Sequence, residues 1–336
     1  MSAYIIAEAG VNHNGDLETA KRMVSAAKKA GCDCVKFQTF RAEQLVTEQA
    51  KKAAYQAGNT GSDGSQYEML KALELSEKDF SSLKACCENE GIAFLSTPFD
   101  EESAEFLRSL GLSCWKMASG EITNEPFLRQ IGSYRQQVIL STGMSTLDEV
   151  ENAVGWLRES GTTDITLLHC TSNYPTPPED VNMRAMLTLR EHFQLPVGYS
   201  DHTEGITIPI MAAAMGAVVL EKHFTLDRTM PGPDHKASLE PAMLEQMVRS
   251  VRDVEKAFGT GEKAPTQAEL STRVAARKSI VLARDVPSGK PLTREDLAVK
   301  RPGNGIPPTA LHSLLGKTLK HSMPQNALLQ EADLNM

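Results

Sequence analysis

Eight short apolar runs recur along the first 220 residues of this chain: Tyr4–Ala7, Cys34–Phe37, Ala93–Leu95, Cys114–Met117, Gln137–Leu140, Ile165–His169, Val197–Tyr199 and Ala217–Leu220. Between them lie amphipathic stretches with helical spacing, including Leu17–Lys29, Ser76–Glu88, Glu101–Ser109, Leu147–Glu159 and Val181–His192; a small-residue helix, Ile206–Met215, precedes the eighth run and Pro241–Phe258 follows it. Runs too short for helices, alternating with helical segments, predict successive βα units on a parallel sheet. Eight such units predict a closed (β/α)8 TIM barrel, with its ligand site at the carboxyl ends of the strands.

The residues that follow each run therefore face one mouth. They are Glu8; Lys36 and Gln38; Ser96 and Thr97; Lys116, Ser119 and Glu121; Ser141 and Thr142; Thr171 to Tyr174; Ser200 and His202; Glu221 and His223. A single Ser or Thr at such a point usually caps a helix. Repeated around a ring beside two lysines, these hydroxyls suit an anion carrying phosphate and carboxylate. His202 and His223, on neighbouring strands, predict a divalent-ion site whose remaining positions stay open, which suggests catalysis.

At 336 residues the chain exceeds one ordinary domain. The pattern predicts a barrel over 1–258, a polar linker over 259–273 that begins Gly259-Thr260-Gly261-Glu262-Lys263, and a small β-rich domain over 274–336. The net charge of −8 offers no footprint for nucleic acid or anionic membrane. No basic leader region and no span-length apolar segment is present, so a cytoplasmic protein is expected. The six cysteines sit within apolar patterns, form no motif and are assigned no chemistry; reduced, mostly buried thiols are expected. The interval Arg41–Leu75, with its turn-rich Gly58–Ser65 stretch, is longer than a crossover helix needs and is expected to be a functional lid.

Several motifs carry a resemblance. Ala7-Glu-Ala-Gly-Val-Asn-His-Asn-Gly15, Val35-Lys-Phe-Gln-Thr39, Leu95-Ser-Thr-Pro-Phe99, Trp115-Lys-Met-Ala-Ser-Gly-Glu121, Leu140-Ser-Thr-Gly-Met144, Gly198-Tyr-Ser-Asp-His-Thr203 and Glu221-Lys-His-Phe-Thr225 resemble the bacterial sialic acid synthase family. Leu168 to Pro177 and Lys300-Arg-Pro-Gly-Asn-Gly305 extend the likeness, the latter to the family's antifreeze-like (SAF) domain. In place of an Asn found in some members two residues before Tyr174, this chain has Ser172 and then Asn173, so neither residue is assigned a contact.

The resemblance implies a metal-dependent condensation of phosphoenolpyruvate with an N-acylmannosamine-type sugar and water, giving a nine-carbon α-keto acid and phosphate. By matching motif, it implies His202 and His223 as Mn²⁺ ligands, with Mg²⁺ and Co²⁺ as other candidate ions. It implies phosphoenolpyruvate contacts from Lys36, Thr97, Lys116, Ser119, Ser141 and Ser200, and sugar contacts from Gln38, Asn59, Tyr174, Asp234 and Arg301. Glu8 and Glu121 are implied near the reacting carbons, either being a candidate general base. The main expectation for the sugar is N-acetylmannosamine, giving N-acetylneuraminate; the alternative is 2,4-diacetamido-2,4,6-trideoxymannose, giving N,N'-diacetyllegionaminate. A homodimer with exchanged C-terminal domains is also expected. Competing readings are a Schiff-base aldolase using Lys36, Lys116 or Lys222, and an ice- or carbohydrate-binding module with the barrel as scaffold.

Overall fold

The structure, a computed structural model, describes residues 2–60 and 64–335; Gly61–Asp63 of the turn-rich stretch lie outside the described residues. The chain divides into two compact units, Met1–Gly259 and Thr260–Met336.

In the first unit the strands are β1 (Tyr4–Gly10), β2 (Cys34–Thr39), β3 (Ala93–Pro98), β4 (Cys114–Met117), β5 (Gln137–Ser141), β6 (Ile165–Cys170), β7 (Val197–Asp201) and β8 (Val219–His223). All observed pairings among them are parallel, in the order β3-β2-β1-β8-β7-β6-β5-β4. The β1–β8 pairing turns the sheet back on itself, and β3 lies beside β4 without a hydrogen-bonded ladder. The result is the expected (β/α)8 barrel with one loose seam.

The helices are α1 (Leu17–Lys29), α2 (Ala42–Leu45), α3 (Ala54–Thr60), α4 (Gln66–Leu73), α5 (Glu77–Glu90), α6 (Glu101–Ser109), α7 (Glu125–Ser133), α8 (Leu147–Ser160), α9 (Arg184–Phe193), α10 (Thr207–Ala214) and α11 (Pro241–Ala257). Local chemistry starts them. Asp16 accepts a hydrogen bond from Thr19 N at 2.7 Å, and Ser76/Asp79 and Thr146/Glu149 form reciprocal capping boxes on α5 and α8. Along α1, Ala20, Met23, Val24 and Ala27 share one face and are buried against the barrel.

Several strands run further than the apolar runs predicted, and β8 starts two residues later than Ala217 and continues through His223. At a barrel mouth the ladder needs only backbone, so polar residues extend it wherever their side chains face a cavity. Glycine is required where backbones come close. At Gly198 a Cβ would lie 2.2 Å from the Val219 carbonyl oxygen, and at Gly10 the chain takes a φ of +51° at a register irregularity in β1.

The interval after β2 is ordered through its described residues as α2, α3 and α4. It builds a small core of its own, with Leu45, Met69, Leu70 and Leu73 packed on Val11, Phe40 and Phe99.

The second unit contains α12 (Gln267–Ala276), β9 (Ser279–Leu282) and β10 (Leu297–Lys300), with β9 and β10 antiparallel and Leu328 bridged to Val281. Ile280, Leu282, Val286, Leu292, Leu297 and Leu329 form its core. The helix α12 lies largely inside the stretch expected to be linker. Thr266 and Glu269 form a capping box that starts it, yet it buries no residue, so its pattern lacked the apolar stripe that marks a packed helix. Among the described residues, no helix is long and apolar enough to cross a membrane.

Candidate active site

Ladder register decides which side chains enter the barrel. Glu8 pairs with both Lys36 and His223, Gln38 with Thr97, Ser200 with both Glu221 and Cys170, and Ser141 follows Lys116's partner Ile139 by two residues. Because successive strand side chains alternate between faces, all of these residues project inward. They line one cavity of about 490 Å³ at the strand ends, together with Ser119, Glu121, Tyr174, His202 and Asp234.

At its floor two lysines face two carboxylates, all buried. Lys36 Nζ lies 2.6 Å from Glu8 Oε2 and 3.7 Å from Glu221 Oε2, and Lys116 Nζ lies 3.5 Å from Glu221 Oε1. Lys36 donates to Thr97 Oγ1 at 2.9 Å, Lys116 to Ser141 Oγ at 2.8 Å, Ser200 Oγ to Glu221 at 2.9 Å and Gln38 Nε2 to Glu8 at 3.0 Å. Burial raises the Glu8 carboxyl to about 7 against the pull of Lys36. Burial also opposes ionisation of Glu221, but Lys116 and Lys36 outweigh it and hold that carboxyl near 2. For Lys36 the two carboxylates overcome burial and raise its pKa, whereas burial leaves Lys116 below the usual lysine value. The floor thus sets two lysine amines in a low-dielectric setting, where an anion gains most from their positive charge.

The two histidines meet at one side, their ring centroids 5.4 Å apart, with Tyr174 packed 4.1 Å from His202 and 5.8 Å from His223. His202 Nδ1 lies 2.7 Å from the Thr171 carbonyl oxygen, which assigns its proton to Nδ1 and directs the other nitrogen's lone pair away from that bond. Among the described residues His223 Nδ1 is buried without a hydrogen-bond partner, and burial followed by the nearby His202 pushes this imidazole well below the usual histidine range. Burial disfavours the charged form of His202, but Cys170 and the Thr171 carbonyl outweigh it and raise this imidazole to about 8, so a divalent ion bound here would displace its proton before taking the lone pair. Among the described residues there is no cluster of three or more His, Cys, Asp or Glu that could hold a metal ion, so these two imidazoles are the candidate ligands.

The loop after β8 closes another side. Asn12 Nδ2 donates to the Phe224 carbonyl and to Ser238 Oγ at 2.9 Å each, Ser238 Oγ donates to the Asp234 carbonyl at 2.7 Å, and Asn59 Nδ2 donates to the Pro233 carbonyl at 2.6 Å. Asp234 is buried, and burial raises its carboxyl to about 6. Glu121 accepts a hydrogen bond from Asn124 at 2.7 Å and is also raised by burial.

Thirteen of the fifteen expected site residues thus line the cavity. Asn59 borders it through Pro233, and Arg301 belongs to the second unit, exposed just past β10. Lys222 is a correction. One residue out of phase with Glu221 and His223, it points out of the barrel and bonds Asp201 and the Thr203 carbonyl, wholly buried, so it is no Schiff-base nucleophile. Lys222→Met is expected to destabilise the fold by about 3 to 5 kcal/mol, since it strands a buried carboxylate. A thermal or urea unfolding curve unchanged from wild type would refute that role.

Two residues escaped the sequence reading. Glu221 stands at the mouth by sequence, and the structure adds its role of joining both lysines; its alternation with Lys222 is the available signal. Cys170, set aside with the other cysteines, lies buried with its Sγ 3.7 Å from His202 Nδ1. No motif spacing announces it.

Fold and site together define an anion-handling (β/α)8 enzyme with paired buried lysines and a two-imidazole corner. The chain belongs to the NeuB family, whose sequence pattern matches residues 23–263, and it carries a SAF domain over residues 277–335. It is 50% identical to an N,N'-diacetyllegionaminic acid synthase of Legionella pneumophila, over 98% of this chain and 94% of that protein. The N,N'-diacetyllegionaminic acid synthase of Campylobacter jejuni is 46% identical, over 97% of this chain and 98% of that protein. Among solved structures, the N-acetylneuraminic acid synthetase of Leptospira borgpetersenii, crystallised with citrate, matches with a TM-score of 0.71 and 34% identity, over 81% of this chain and 90% of that one. The chain is accordingly an enzyme of the sialic and legionaminic acid synthase family.

Proposed function

We propose that this enzyme condenses phosphoenolpyruvate with 2,4-diacetamido-2,4,6-trideoxymannose and water to give N,N'-diacetyllegionaminate and phosphate. The observation that carries this reading is near-full-length identity of 50% and 46% to two proteins named for that product. It replaces N-acetylneuraminate, the main expectation from sequence, with the alternative. The barrel supports it too, because much of the cavity wall is apolar, which suits a sugar bearing a methyl and two acetyl groups.

In this reading Lys36 and Lys116, with Thr97, Ser119, Ser141 and Ser200, bind the phosphate and carboxylate of phosphoenolpyruvate and hold its C3 toward the sugar aldehyde. A divalent ion, Mn²⁺ foremost, would be held by His202 and His223 and would polarise that aldehyde. C3 attacks the aldehyde carbon, leaving C2 electron-poor. Water adds at C2, and the resulting tetrahedral hemiketal phosphate expels phosphate to leave the keto acid. Glu8, deeper and more enclosed than Glu121, is the better-placed base for that water, with Gln38 and Lys36 fixing its orientation. Gln38, Tyr174 and Asp234 would contact the sugar, and Arg301 would do so from the C-terminal domain of the other subunit in an exchanged homodimer.

A side-by-side assay tests the substrate. The trideoxy sugar is expected to be used with a kcat/KM roughly 100-fold above that of N-acetylmannosamine, the scale by which sites discriminate single substituents. Equal or inverted preference would return the enzyme to N-acetylneuraminate synthesis.

A further inference from the structure

The cavity has two chemically distinct halves. Its polar lining comes from the barrel strands and the loops that follow them, whereas its apolar lining comes largely from the segment between β2 and α5. Leu45, Val46, Met69 and Leu70 of that segment are only partly buried, although Leu45, Met69 and Leu70 are backed by the small core of Val11, Phe40, Leu73 and Phe99. They are held in place by packing yet leave apolar surface facing the cavity. Gln56 and Gln66 interrupt this wall, with Gln66 Nε2 3.4 Å from Gln56 Oε1. Carboxamides set in an apolar wall pair well with another amide, and the wall itself pairs with methyl groups.

We infer that the α2–α4 segment is the specificity element of this active site, its apolar wall receiving the C6 methyl and the C4 acetamido group of the sugar. This rests on the substrate reading above and deepens it. The segment contributes none of the charged groups at the floor, so phosphoenolpyruvate binding and the chemistry stay with the barrel while the segment selects the acceptor. N-acetylmannosamine presents hydroxyls at C4 and C6. Against this wall those hydroxyls lose water and meet apolar side chains, which penalises that sugar. The division also explains why the interval after β2 is the long one: it carries a second wall that a plain crossover helix does not supply.

Met69→Gln and Leu45→Gln, made separately, test the assignment, with folding checked by thermal melts. Each is expected to raise KM for the trideoxy sugar about tenfold, leaving kcat and the KM for phosphoenolpyruvate within about twofold, because a contact made equally in ground and transition states moves KM alone. The kcat/KM ratio of trideoxy sugar to N-acetylmannosamine is expected to fall by a similar factor. A folded variant that shifts both sugars equally, or neither, overturns the wall as specificity element. The wild-type ratio is a separate readout: a wild type that prefers N-acetylmannosamine overturns the substrate reading and this inference with it, whereas unmoved ratios in the variants of a trideoxy-preferring enzyme overturn this inference alone.

Discussion

Lys116→Met is expected to lower kcat/KM for phosphoenolpyruvate by roughly 100-fold, with the sugar KM changed less than about twofold. A charge-assisted contact to a buried anion is worth about 1.5 to 3 kcal/mol, or ten- to a hundredfold in affinity. Lys116 sits at the upper end, being fully enclosed with its Nζ 2.8 Å from Ser141 Oγ and 3.5 Å from Glu221. The substitution also removes one of the two cations that offset the Glu221 charge, leaving Lys36 at 3.7 Å and Ser200 at 2.9 Å. Stability should therefore drop together with activity. The double variant Lys116→Met, Glu221→Gln separates the two effects, since it removes the uncompensated charge without restoring the anion contact. Its melting temperature is expected to recover while phosphoenolpyruvate use does not. A rise confined to the sugar KM in Lys116→Met would show that the lysine serves the other substrate.

His223→Ala and Arg301→Ala are each expected to be nearly inactive alone and to regain about a quarter of wild-type activity when co-expressed. Random pairing makes half of the dimers mixed, and an exchanged C-terminal domain gives each mixed dimer one site with both defects and one with neither. If Arg301 serves its own barrel, every site keeps one defect and no activity returns. If Arg301→Ala alone is fully active, the residue is a surface arginine. The histidine half has its own readout. Titration of Mn²⁺ into the purified protein, followed calorimetrically, should lose its binding heat in His223→Ala, and an unchanged isotherm would remove His223 from the ion's ligands.

The repeat of eight apolar runs made the barrel legible, because parallel strands buried on both faces must be apolar along most of their length and the helices between them must carry a stripe. The same reasoning placed the lysines, hydroxyls and histidines at one mouth. Alternation within Glu221-Lys222-His223 was legible as well, and it separates the inward carboxylate and imidazole from a lysine that pairs with Asp201 behind the sheet. The helix at Gln267–Ala276 had a readable start in Thr266 and Glu269 but no apolar stripe to mark it.

Other features belonged to the tertiary structure alone. The 3.7 Å approach of Cys170, the last residue of β6, to His202, just past the end of β7, joins residues 32 positions apart, and no local pattern encodes it. The wall formed by Leu45, Met69 and Leu70 reads in sequence as scattered apolar residues in a polar stretch. Strand and helix periods follow from backbone geometry that each short segment carries with it. Which side chains share a cavity depends on sheet closure and on where a long loop folds back, and those are set by packing across the whole barrel.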